Sequence, residues 1–178
     1  MDTVFFWKAI GQYGAFSQWY MSDFTIDGIV YSSAEQYMMA MKANIFNDFN
    51  TQRDIMLLSD TQKIKALGRK VSGFNPQLWD SVKFDIVVDA NMAKFSANSK
   101  LQNLLLNTGY AELVEASPYD AIWGIGLVED DPRIDDRANW GENLLGKALG
   151  EVRKRMVEHM QQRTGRYQFD QRADVTLI

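Results

Sequence analysis

Residues 33–42 read SAEQYMMAMK: an acid at the start, two turns of mostly apolar residues, then a lysine. Ser32 is followed three residues later by Glu35, the pattern of a capping box, which predicts a helix from there to about Ile45. Successive helical residues lie about 100° apart, so positions i and i+7 differ by only about 20° around the axis. Glu35 and Lys42 then share a face, about 10 Å apart along it. That gap is too long for a direct ion pair and suits a ligand that touches both groups.

Upstream, FTIDGIVYSS alternates around Asp27-Gly28, a strong hairpin signal. Downstream, helices are expected over Thr51–Leu58 and over Thr61–Lys70, the latter capped by Asp60 and weakened near its end by Gly68. Pro76 opens a long helix to about Phe95, with Val82, Ile86, Ala90 and Ala93 near one face. Asn98 caps the next, where Leu101, Leu104 and Leu105 face inward until Asn107-Thr108-Gly109 stops it. AELVEA reads as a short strand, Ser117-Pro118-x-Asp120 as a compact helix start ended by Gly124, and WGIGL as extended. The last helix is expected from about Glu142 to Gln162, with Leu145, Leu149, Val152 and Met156 inward. The expectation is a mainly α single domain over 1–178, with a small N-terminal β-hairpin and short strands.

Bulk composition narrows the chemistry. With 46% hydrophobic and 24% charged residues the 178-residue chain has ordinary globular values and room for a core. A net charge of −4 gives no broad electrostatic footprint for duplex DNA. No cysteine is present, so disulfides, thiolate metal sites and cysteine nucleophiles are excluded together. The single histidine, His159, falls in the charged last helix and reads as a solvated residue rather than part of a triad or zinc site. Acid–base work falls to carboxylates, lysine and tyrosine. No run approaches the ~20 apolar residues of a membrane span and MDTVFFWKAI lacks a signal-peptide pattern, so a soluble, cytoplasmic protein is expected.

Each candidate site residue has a structural reading beside a chemical one. Glu35 serves the capping box or works as a functional carboxylate. Lys42 snorkels to water, or is buried and so becomes a nucleophilic amine. Asp120 caps its own turn, or joins Trp123 three residues on to hold a planar heterocycle by stacking and proton exchange. Gly124-x-Gly126 is no dinucleotide fingerprint, for want of a strand–turn–helix around it. Gly141, Asn143 and Gly146 open the last helix, where free N–H groups can hold a phosphate unless Asn139 or a neighbour simply caps it. Glu129-Asp130-Asp131 with Asp135-Asp136 reads as a solvated acidic loop, lacking the glycine-punctuated spacing of a calcium site.

The order of these blocks carries more than any one of them. S-x-E-x-Y-x-x-A-x-K-A, then A-K-F-x-x-N-x-x-L-x-x-L-L-x-T-G, then L-V-E-x-x-x-x-D-x-x-W-G-x-G, then G-x-N-x-L-G-x-x-L resembles the NADAR domain family, which includes the YbiA-like N-glycosidases. The resemblance covers about residues 5–158 and leaves 160–178 as a C-terminal extension. Two departures stand out: Gln36 replaces a frequent histidine, and F-S-Q-W replaces the usual S-N-F, with Gln18 at the asparagine.

The resemblance implies a mostly helical domain that hydrolyses the N-glycosidic bond between a ribose phosphate and a base. Members act on ADP-ribose attached to guanine, in nucleotides or in nucleic acid, or on early riboflavin-pathway intermediates. By resemblance Lys42, Glu35 and Asp120 are the catalytic candidates. Trp123, Gly124, Gly126, Asn143, Gly141, Tyr37, Ser17 and Gln18 are the substrate-binding ones. Lys42 would attack the anomeric carbon to form a Schiff base, or would only neutralise a phosphate while a carboxylate-activated water attacks. Neither route requires a metal or another cofactor. A non-catalytic ADP-ribose reader and a plain helical interaction module are the alternatives; intact Glu35, Lys42 and Asp120 speak against the first, and convergence of the blocks would speak against the second.

Overall fold

The computed structural model describes residues 2–164. Of the C-terminal extension, residues 160–164 are described and the rest, from 165 onward, lies outside them. Strand β1 (Thr3–Phe6) leads into an aromatic loop, and β2 (Phe24–Ile26) and β3 (Ile29–Tyr31) form the expected hairpin. Its turn places Asp27 and Gly28 at φ 51° and 79°, the left-handed pair that a two-residue hairpin turn demands.

Six helices follow among the described residues: α1 (Ala34–Ile45), α2 (Phe49–Met56), α3 (Thr61–Gly68), α4 (Pro76–Ala97), α5 (Ser99–Leu106) and α6 (Leu144–Thr164). Between the last two lies β4 (Glu112–Glu115). The caps of α3, α4 and α5 are Asp60, Asn75 and Asn98, whose side-chain oxygens accept N–H groups of the first turn. The second helix starts two residues before the expected Thr51, because Asp48 accepts both the N–H and the hydroxyl of Thr51.

Helix α1 packs against α2, α3 and α4, while α6 packs on α4 and β4. The main core gathers Phe16, Met38, Ala40, Ile55, Ile64, Val87, Phe95 and Leu149, all at most 5% exposed. Helices α1 and α3 touch closely at Gly68, where a Cβ would sit 1.9 Å from Met39 Sδ. A residue without a side chain there lets α3 lie directly on α1, and this sets the spacing of the side chains on both.

Strand β4 pairs in parallel with β1, with Thr3 opposite Glu112 and Phe6 opposite Glu115. The sequence reading anticipated β4 but not its partner. Further differences lie between residues 117 and 143. Ser117-Pro118-x-Asp120 forms turns and bends rather than a helix, and residues 123–127 join no ladder. Asp120 Oδ1 accepts the N–H groups of Ile122 and Trp123 at 2.9 and 2.8 Å, which closes a tight side-chain turn and leaves nothing to propagate. The last helix begins at Leu144, after Asn143 adopts φ 52°. Among the described residues no helix is long and apolar enough to cross a membrane.

Candidate functional site

The cap of α1 is displaced by one residue from its expected position, and this changes what Glu35 does. Ser33, not Ser32, is the N-cap, with its Oγ accepting the Gln36 N–H at 3.2 Å. Gln36 fills the reciprocal role, its Oε1 accepting the Ser32 N–H at 2.8 Å and the Ser32 hydroxyl at 3.1 Å. Its Nε2 donates to the carbonyls of Ile55 and Leu58 and ties α1 to the end of α2. Gln36, one of the two family departures, is thus a structural fastener. Glu35 is released from capping and turns into a cavity.

That cavity has a volume of about 670 Å³, within the usual range of about 300–1,000 Å³ for small-molecule sites. From α1 it receives Glu35, Met38, Met39 and Lys42, on the shared face that the i, i+7 spacing required. From α3 come Lys65 and Gly68, with Arg69 just beyond. Ser17, Gln18 and Trp19 enter from the N-terminal loop, and Glu115 from the end of β4. The turn after β4 adds Ser117, Tyr119, Asp120, Ile122 and Trp123.

Two carboxyls here have pKa values far above the ordinary range. Glu35 is 5% exposed, and burial, reinforced by Asp120, raises its pKa to about 7 against the opposing pull of Lys65, a Trp19 hydrogen bond and Arg69. Glu115 is pushed up to about 8 by burial, with Asp120 and Glu35 adding repulsion and Lys65 opposing. Its Oε2 is buried without a hydrogen-bond partner. The sequence reading did not single out Glu115, although it stands in the quoted L-V-E motif. An acid closing a strand with Leu113 and Val114 buried ahead of it was the available signal.

Lys42 is half-buried, with its Nζ 4.2 Å from the Phe74 ring centre and 5.6 Å from that of Trp79. Burial lowers its pKa below the ordinary lysine value. Beneath the site lies a second amine. Lys94 on α4 is 0% exposed and donates to the carbonyls of Ala15 and Ser17 at 2.6 and 2.9 Å, with burial lowering its pKa to about 7. Asn91, one turn earlier, donates to Gln18 Oε1 at 2.8 Å. The loop carrying Ser17 and Gln18 is therefore set from below by α4, and Gln18 keeps its buried Nε2 unpartnered.

Lys42, Glu35, Asp120, Trp123, Ser17 and Gln18 meet on this cavity; Tyr37, Gly124, Gly126, Gly141 and Asn143 are not on its wall. Tyr37 is 6% exposed within a ring cluster, 4.9 Å from Tyr31 between centroids. Asn143 spends its amide on the backbone of β4, accepting from Glu115 N at 3.0 Å and donating to Leu113 O at 2.9 Å. Gly124 and Gly141 are close-approach points, where a Cβ would come within 2.7 Å of Glu115 O and 2.2 Å of Ala121 O.

The expected anion site at the start of α6 is filled by the protein itself. The N–H groups of Gly141, Glu142, Asn143, Leu144 and Leu145 donate to the carbonyls of Ile125, Ala121, Gly124, Ile122 and Trp123. No donor of that run is left for a phosphate. The acidic stretch 129–136 is mostly exposed, with Asp131 paired to Arg133 and Asp136 capping a short turn, and His159 is exposed on α6. Among the described residues, no group of three or more histidine or acidic side chains is placed to hold a metal ion.

Comparison with known proteins follows the same outline. A family model described as the NADAR domain matches residues 5–157. An N-glycosidase of Acanthamoeba polyphaga mimivirus is 48% identical over 145 residues, covering 78% of this chain and 85% of the relative. A riboflavin biosynthesis protein of Vibrio vulnificus is 28% identical over 158 residues, which are 89% of this chain and 40% of that protein. The NMR structure of Escherichia coli YbiA superimposes with a TM-score of 0.74 at 30% identity, covering 89% of this chain and 87% of that one.

Proposed function

The chain belongs to the NADAR domain family, and from that membership we propose that it is an N-glycosidase that removes ADP-ribose from guanine in a nucleotide or nucleic acid. The observation that carries the reading is the convergence of Lys42, Glu35, Asp120 and Trp123 on one cavity from segments far apart in the chain. A half-buried amine and carboxyls with raised pKa values on one cavity are the equipment for breaking a glycosidic bond; a pure binder has no use for them. The guanine substrate is favoured by the room and the aromatic lining. Trp7, Trp19, Tyr119 and Trp123 offer more ring surface than a single base requires.

In the proposed mechanism Glu35, protonated to a useful extent near pH 7, donates its proton to the departing base nitrogen. The neutral Lys42 amine bonds to the anomeric carbon, and the electron pair of the broken glycosidic bond stays on the base. The furanose ring then opens. Its ring oxygen takes a proton from the substituted ammonium, and the carbon–nitrogen bond becomes a protonated Schiff base. Water, activated by the now ionised Glu35, adds to that carbon, and the carbinolamine collapses to the free sugar aldehyde and Lys42. Asp120, with Oδ1 engaged by two backbone N–H groups, fixes the turn that presents Trp123 to the base. Burial of Lys42, which lowers its pKa, favours the neutral amine that this route needs, against the pull of the Phe74 and Trp79 ring faces on an ammonium.

A second reading, hydrolysis of an early riboflavin-pathway intermediate, is favoured by the similarity to the Vibrio vulnificus protein. Both readings share the bond and the machinery and differ in the base. Incubating the purified protein with ADP-ribosylated guanosine and with the riboflavin intermediate side by side decides between them. Release of guanosine with the riboflavin intermediate untouched is the expected result; the reverse selects the second reading, and turnover of neither rejects the N-glycosidase proposal.

A further inference from the structure

The cavity is lined by charges of both signs: the carboxyls of Glu35, Glu115 and Asp120, and the cations Lys42 from α1, Lys65 from α3 and Arg69 at the end of α3. Lys65 and Arg69 are one helical turn apart, so their side chains lie over the same surface. Like charges so placed disfavour the helix, and no carboxylate among the described residues lies within ion-pair distance of either. Both are near enough to Glu35 to act on its ionisation, so they reach the reacting end of the cavity. The close contact of Gly68 with Met39 holds this cationic edge against the face carrying Glu35 and Lys42.

Lys42 is half-buried, and the desolvation that lowers its pKa suits a neutral amine better than an ammonium paired with a hydrated dianion. At the start of α6 the N–H groups of residues 141–145 are spent on loop carbonyls. We infer that Lys65 and Arg69 form the phosphate subsite of this cavity, gripping the phosphate on the ribose 5′ carbon and leaving Lys42 free for the anomeric carbon. Arg69 supplies the planar fork that matches two phosphate oxygens and Lys65 a point charge beside it. Burial keeps Glu115 largely protonated near neutrality and Glu35 about half so, and the two oppose an anion less than a pair of ionised carboxylates would. The identity of the ligand rests on the N-glycosidase reading, whereas the anion preference of the two residues does not.

Binding rather than turnover tests it. Ribose, ribose 5-phosphate and ADP-ribose are titrated calorimetrically into the wild-type protein and into Arg69→Met, Lys65→Met and Lys42→Met. The Lys65 and Arg69 side chains are at least partly solvent-facing, so these variants should fold; circular dichroism verifies it. Wild type should bind the two phosphate compounds at least about tenfold more tightly than ribose, the size of effect of a charged hydrogen bond. Arg69→Met and Lys65→Met should each remove most of that preference, and Lys42→Met should keep it. A larger loss for ADP-ribose than for ribose 5-phosphate assigns the pair to a diphosphate, and equal losses to the single 5′-phosphate. The inference is overturned if wild type shows no phosphate preference, if the α3 variants retain it, or if Lys42→Met alone abolishes it. A null binding result with intact turnover would reject this subsite and leave the N-glycosidase reading standing.

Discussion

Asn143 Oδ1 accepts the backbone N–H of Glu115 at 3.0 Å, and through that bond the start of α6 sets the position of an acid on the cavity wall. The same side chain donates to Leu113 O at 2.9 Å, so one amide clamps both ends of a strand segment. Asn143→Ala leaves two backbone groups unpaired and puts a non-glycine residue without a polar side chain at φ 52°. The expected loss is about 2–4 kcal/mol in urea unfolding. Asn143→Gly relieves the backbone but not the hydrogen bonds, and should recover only part. A loss in the alanine variant below about 0.5 kcal/mol, the range of ordinary surface changes, would show that the clamp is not a structural element.

The carboxyls make stability depend on pH with a defined sign. Glu35 and Glu115 have pKa values of about 7 and about 8 against an ordinary 4.5. Between 4.5 and those values the folded state holds more protons than the unfolded one, so stability falls as pH rises through the window. Lys94 acts in the opposite sense at higher pH, because its pKa drops from 10.5 to about 7 and the unfolded state then binds the extra proton. Glu115→Gln removes one contribution to the decline. The unfolding free energy of this variant from urea titration should be close to wild type at pH 5 and exceed it at pH 8.5, by an amount on the order of a few kcal/mol. Parallel curves for the two proteins would mean that Glu115 ionises freely in the folded state.

What the sequence disclosed follows the range of the interactions. The hairpin at Asp27-Gly28 and the caps at Asp60 and Asn98 depend on neighbours a few residues away, and those elements were legible. The i, i+7 relation of Glu35 and Lys42 needed only helical geometry. Ser32 and Ser33 each have an acceptor side chain three residues on, Glu35 or Gln36, and the choice between them was made by the carbonyls of Ile55 and Leu58 that Gln36 also reaches. The pairing of β1 with β4 joins segments more than a hundred residues apart, and no local pattern records it. Asn143 looked like a ligand for the same reason it works as a clamp: a polar residue at a glycine-rich helix start, whose partner carbonyls and N–H groups lie on a distant strand.

Trp123 lines the cavity beside the turn that Asp120 closes, and it is half-buried rather than sealed in the core. If its indole stacks on the substrate base, Trp123→Ala weakens binding by about 1–3 kcal/mol, the usual worth of a base–aromatic contact. Trp123→Phe should restore most of it, since the ring face is kept. Titration of guanosine-linked substrate against the three proteins supplies the comparison. Equal affinities throughout would return Trp123 to a packing role.

Lys42→Arg separates the two routes to bond cleavage. Arginine keeps the positive charge and most of the length, so a lysine that only neutralises phosphate would be replaced with modest loss. A guanidinium stays protonated at every usable pH and forms no Schiff base, so the covalent route would stop. With Lys65 and Arg69 available for the phosphate, Lys42→Arg is expected to be folded and inactive, with turnover reduced by at least about a thousandfold, or roughly 4 kcal/mol in the barrier. The pH profile should carry the same signature. The active form needs Lys42 neutral and Glu35 protonated, and burial favours both, lowering the one pKa and raising the other to about 7, so the profile is bell-shaped. Borohydride added during turnover should reduce the Schiff base and leave a sugar adduct, located at Lys42 by peptide mass spectrometry and missing from Lys42→Arg. Retention of substantial activity by Lys42→Arg, with no adduct trapped on wild type, would assign the amine an electrostatic role and give the attack on the anomeric carbon to a carboxylate-activated water.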